Sequence, residues 1–135
     1  MRKLGLIAAL LVLVVVASCL GVKTRDNVLL PAARDAYGDI YHEVVRGLLD
    51  GKVDGDLTDE QAEVLIFSAD SLKTALKDGD RVKIASVDWE ALRPWAIRGI
   101  QDKIDDGEIA ETVAASLFHR VEKFTESLEV LAQRL

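Results

Sequence analysis

Residues 46–76 read RGLLDGKVDGDLTDEQAEVLIFSADSLKTAL, and residues 98–128 read RGIQDKIDDGEIAETVAASLFHRVEKFTESL. Laid over one another at an offset of 52, the two stretches align without a gap and share eight identities in 31 positions. Arg46, Gly47, Asp50, Asp54 and Gly55 meet Arg98, Gly99, Asp102, Asp106 and Gly107; Ala62, Leu65 and Leu76 meet Ala114, Leu117 and Leu128. Like-for-like pairs fill the gaps, among them Asp56/Glu108, Leu57/Ile109 and Leu72/Phe124, and Tyr37/Trp89 and Ile40/Leu92 extend the match upstream. The identities cluster around one Asp-Gly turn. A duplicated unit is the expectation, with copies over about 37–76 and 89–128.

Each copy reads as two helices around that turn. Pro31 suits a first helical turn, where its missing N–H costs nothing. From there Tyr37, Ile40, Tyr41, Val44, Val45 and Leu48 follow i, i+3, i+4 spacing, with Gly51 and Gly55 expected to interrupt. Thr58 or Asp59 can cap a second helix, whose stripe is Ala62, Leu65, Ile66, Ala69, Leu72 and Leu76, ending at Gly79. Residues 80–87 read as a linker, with a segment, VKIASV, that could pass for a strand. Asp88 caps a third helix running to about Asp106, with a kink or a start at Pro94. The fourth helix, from about Glu108, carries Val113, Leu117, Val121, Phe124, Leu128, Leu131 and Leu135 at spacings of four and three. The fold class expected is all-α: an antiparallel four-helix bundle built from two repeated helical hairpins. Gly47 and Gly99 recur inside helices, where Gly costs up to about 1 kcal/mol against Ala. Close helix approach near a pseudo-twofold axis would explain them, as would simple descent from one ancestral unit.

The turn DGKVDGDLTDEQ (50–61) invites comparison with a calcium loop. Asp50, Asp54, Gly55 and Asp56 fall at suitable places, but Lys52 and Gln61 stand where the third and twelfth loop positions need ligands. The second copy, with Asp102 and Asp106, has Ile104 and Val113 at the same two places. A plain hairpin turn is the favoured reading and weak calcium binding the alternative. No cofactor is expected. Arg46 and Arg98 are expected to reach hairpin acids such as Asp50, Asp54 or their counterparts. His42 and His119 lack metal-ligand neighbours at suitable spacing and read as helix surface. Trp89 and Trp95 read as core or groove residues, with a partner-binding face as the alternative. No nucleophile elbow or glycine-rich phosphate loop occurs, and no catalytic constellation is visible.

The chain has 135 residues and a net charge of −6. Arg2 and Lys3 precede the only cysteine, Cys19, which leaves 15 basic residues against 23 acidic ones and −8 for the remainder. Such a body repels phosphate backbones, so nucleic acid is not an expected partner. One cysteine allows no internal disulfide, and about 117 residues suffice to bury a core.

That cysteine closes a signal-like segment: basic Met1-Arg2-Lys3, then an apolar run from Leu4 to Val16, too short for a span of roughly 20 residues. Val16, Ala17, Ser18 and Cys19 resemble the bacterial lipobox. The resemblance implies a diacylglycerol on Cys19, cleavage before it by signal peptidase II, and acylation of the new N-terminus. Each buried CH₂ contributes about 0.8 kcal/mol, so two or three chains hold a protein firmly on a bilayer. Residues 1–18 are then the signal peptide, 19–30 a tether and 31–135 the helical domain. Leu20, not Asp, follows the cysteine, which by the same resemblance implies the periplasmic side of an outer membrane if the host has two membranes.

The functional expectation is a small lipid-anchored helical lipoprotein that acts as a structural or protein-binding module at the cell envelope. In layout it resembles small lipoproteins of bacteria and their phages. Its membrane contact is the N-terminal lipid, and its protein partner is not legible. A sensor module binding calcium or a small ligand through the Asp-Gly turns is the alternative, and an enzyme is not expected.

Overall fold

The computed structural model describes residues 29–133 and is all-helical over them, with no strand. The helices are α1 (29–53), α2 (Asp59–Asp78), α3 (Arg81–Ser86), α4 (Trp89–Asp105) and α5 (Glu111–Ala132). The expectations placed on Val16, Ala17, Ser18, Cys19, most of the tether and Leu135 lie outside the described residues.

Caps set the boundaries. The Thr58 hydroxyl accepts from the Gln61 N–H at 3.1 Å, and the Gln61 side-chain oxygen accepts from the Thr58 N–H at 3.0 Å. This reciprocal box satisfies two donors that the start of α2 would otherwise leave open. Gly79 ends α2 in the left-handed region, at φ 69°, where a side chain would be strained. Asp80 and Asp88 accept from the Lys83 and Ala91 amides and so start α3 and α4.

Several boundaries differ from those read in the sequence. Residues 80–87 are neither an open linker nor a strand: Asp80 supplies a cap and Ile84 drops into the core, which makes α3 worth forming. α1 already includes residues 29 and 30, expected in the tether, and their leucines pack on the core. It also continues through Gly51 to residue 53, because Gly51 is a contact point and not a breaker. α4 starts at Trp89 and carries Pro94 inside it, and α5 starts at Glu111, after a turn in which Gly107 has φ 70°.

α1 and α4 run in the same direction. Tyr37, in the third turn of α1, meets Trp89 at the start of α4 (ring centroids 6.1 Å apart), and Asp50 meets Asp102 near the last turn of each. α2 returns along α1, with the Tyr37 hydroxyl donating to the Ala69 carbonyl at 2.6 Å and Arg34 Nε to the Leu76 carbonyl at 3.0 Å. α5 returns along α4, where Phe124 stacks edge-on against Trp89 at 4.7 Å. The two Asp-Gly turns therefore share one end of the molecule, and α3 closes the other. The core holds Tyr37, Ile40, Val44, Leu48, Leu72, Leu76, Leu92, Ile100, Val121 and Phe124. Val113, expected in the α5 stripe, is instead 48% exposed, because it sits in the first turn beyond the core.

Candidate functional site

The end of the molecule that carries both turns holds most of the residues singled out in the sequence. It is built where α1 and α4 approach most closely. A Cβ on Gly47 would overlap the Trp95 carbonyl oxygen and lie 2.8 Å from its carbon; one on Gly99 would do the same at the Glu43 carbonyl. Glu43 and Trp95 are themselves 52 residues apart, as are the two glycines. Only a residue without a Cβ lets the backbones meet at this distance.

The close approach carries Arg46 and Arg98 across the interface. Arg46 donates to Asp106 at 2.6 Å and to Glu108, while its Nε lies 3.6 Å from Asp50 on its own helix. Arg98 donates to Asp54 at 2.5 Å and Asp56 at 2.6 Å, with its Nε 3.9 Å from Asp102. Arg46 on α1 thus holds the turn after α4, and Arg98 on α4 holds the turn after α1. The sequence pointed to hairpin acids but not to this crossing, which depends on α1 and α4 being parallel neighbours. These hydrogen bonds raise both guanidinium pKa values, led by Glu108 for Arg46 and by Asp56 for Arg98.

Asp50 and Asp102 stand between the arginines. Asp102 is pushed up to about 6, chiefly by hydrogen-bonding contact with Asp50, then by partial desolvation and the Asp50 charge, while Arg98 pulls the other way. Two carboxylates this close favour sharing a proton. The remaining acids, Asp54, Asp56, Asp106 and Glu108, have oxygens on guanidinium groups. Among the described residues no group of three or more His, Cys, Asp or Glu side chains is arranged to hold a metal ion. His42 and His119 are exposed and lie on different helices.

The two tryptophans separate. Trp89 is core, its indole N–H donating to the Thr125 hydroxyl at 2.8 Å, and Thr125 passes the bond on to the Val121 carbonyl at 2.8 Å. This repeats, through one intervening hydroxyl, the bond that Tyr37 makes directly to Ala69. Trp95 is half-buried: its ring lies over Gly51, where a Cβ would be 2.5 Å from the ring edge, and the Arg98 guanidinium sits 5.5 Å from the ring centre.

At the counterpart positions of Trp95 and Gly51 stand Glu43 and Lys103. Glu43 is 4% exposed and ion-paired to Lys103, and its second oxygen has no hydrogen-bond partner. The same interface position is thus filled by an aromatic ring on glycine on one side and, on the other, by an ion pair whose carboxylate is buried and whose lysine is half-buried. Sequence reading missed the ion pair because an isolated Glu and Lys 60 residues apart carry no signal. No helix among the described residues is long and apolar enough to cross a membrane. Compared with known proteins, the chain matches no protein-family model, no curated protein and no solved structure.

Proposed function

We propose that this chain is a small lipoprotein, anchored through Cys19 outside the cytoplasmic membrane, whose helical domain is a structural or protein-binding module of the cell envelope. The observation that carries the reading is Val16-Ala17-Ser18-Cys19 closing an apolar run behind Arg2 and Lys3. The described domain fits such a role, since its polar clusters are spent on holding helices together. We further propose that the domain is an antiparallel four-helix bundle of two repeated hairpins. In this arrangement α1 and α2 form one unit, α4 and α5 the other, and α3 connects them. The exchange of arginines between turns, residue for residue at an offset of 52, supports it.

A calcium or small-ligand module is the second reading. What weighs against it is that Asp54, Asp56 and Asp106 already accept from arginines, so a cation would have to displace guanidinium groups that fit carboxylates well. Fractionation tests the first reading. Wild-type chain is expected in the membrane fraction, with Cys19→Ala accumulating as unprocessed precursor. Identical behaviour of the two would sink the lipid anchor.

A further inference from the structure

Two large apolar side chains of α2 face solvent: Val64 is 65% exposed and Phe67, three residues on, 74%. Val64 lines an open groove of about 460 Å³ with Leu57, Glu60, Gln61 and Leu65, and Phe67 borders a second, of about 470 Å³, with Asp70, Ser71, Thr74 and Lys83. The counterparts of Val64 and Phe67 at an offset of 52 are Ser116 and His119, both exposed on α5. The second hairpin therefore folds with polar groups at these places. If the hairpins are copies, packing does not account for Val64 and Phe67.

From this we infer that the outer face of α2, centred on Val64 and Phe67, docks a basic amphipathic helix of a protein partner. The inference names the surface and the partner chemistry for the binding-module reading, and it rests on that reading. Charge selects the occupant. Around the two side chains α2 carries Asp59, Glu60, Glu63 and Asp70; Lys52, 3.9 Å from Asp59, and Lys83, in the groove beside Phe67, offset part of that charge and leave the rim acidic. Glu60 lines the groove beside Val64. An acidic rim around apolar anchors attracts Lys and Arg on the partner and speeds encounter. It repels anionic lipid headgroups. It also repels a second copy, which would present the same acids in a chain of net charge −6. Shape selects a helix. From Asp59 to Phe67, α2 presents a ridge of about 12 Å, which a second helix meets with apolar residues at i, i+3, i+4 and i+7.

The test places a photocrosslinking amino acid at Phe67 of the full chain, expressed in its own host, with the same residue at His119 as the control. The expected result is a protein adduct from position 67 and none from 119. The crosslinked peptide should read as an amphipathic helix with Lys and Arg in excess. Adding Glu60→Gln and Glu63→Gln should lower the adduct yield several-fold. An adduct with lipid, with a second copy or with an acidic segment overturns the inference, and so does the absence of any adduct at 67. Adducts from crosslinkers placed elsewhere, such as at Ile97 or Val113, with none at 67, would keep the binding-module reading while removing this site from it.

Discussion

Gly47 and Gly99 meet at the closest point of α1 and α4, where a Cβ on Gly47 would stand 3.1 Å from the Gly99 nitrogen. Everything else at this end follows from that approach. It brings each arginine within reach of the opposite turn, sets Asp50 against Asp102, and buries Glu43 against Lys103.

Gly47→Ala and Gly99→Ala should each destabilise the fold by about 3 kcal/mol or more, since the obstacle is backbone and not a side chain that can swing away. Gly38→Ala, on the exposed face of the same α1 with nothing within 4 Å of its Cβ, should stabilise by about 0.5–1 kcal/mol through helix propensity. Urea unfolding of the three variants checks both signs.

Arg98→Ala should loosen the turn at 54–58, and Arg46→Ala the turn at 106–110, each across the α1–α4 contact from the substitution. Amide hydrogen exchange should rise several-fold in the opposite turn and little in the arginine's own. Exchange that rises only in the local turn would contradict the crossed pairing.

Stability should depend on pH through Asp102. Its folded pKa is about 6 against an ordinary 3.8, so the fold binds a proton more tightly than the unfolded chain. This contribution is fully present below about pH 4 and is lost as pH rises through about 6. Asp102→Asn, neutral at every pH, should therefore raise Tm by a few degrees at most near pH 7, the pair being largely open to solvent. The gain should vanish near pH 4. A loss of stability at pH 7 would show that the contact with Arg98 outweighs the carboxyl pair.

Lys103→Met should cost about 3 kcal/mol, because it strands the Glu43 carboxylate, 5% exposed at its side chain, beside an apolar group. Glu43→Leu combined with Lys103→Met should recover most of that loss. Chemical denaturation of the single and double variants reads the coupling.

Much of the architecture is legible in the chain. Tyr37, Ile40, Val44 and Leu48 on α1, and Ala69, Leu72 and Leu76 on α2, keep helical spacing and are buried as that spacing demands. Thr58 and Asp88 cap where their side chains predict, and the recurrence of Gly47 at Gly99 correctly announces a close approach. Short-range signals failed where a single long-range contact decides. Ile84 draws α3 out of what reads as a linker, and the Trp95 ring needs Gly51 as helix instead of as a breaker. The crossing of Arg46 and Arg98 between turns depends on the parallel pairing of α1 and α4, which no local pattern encodes. Phe67 lies off the stripe of Ala62, Leu65, Ile66, Ala69, Leu72 and Leu76 read from the sequence, and the structure exposes it.

The proposed lipid anchor on Cys19 is tested most directly by the mass of the mature N-terminus. Chain purified from membranes should begin at Cys19 and carry the added mass of a diacylglycerol and an amide-linked acyl chain. An unmodified Cys19, or a chain that retains residues 1–18, would contradict it.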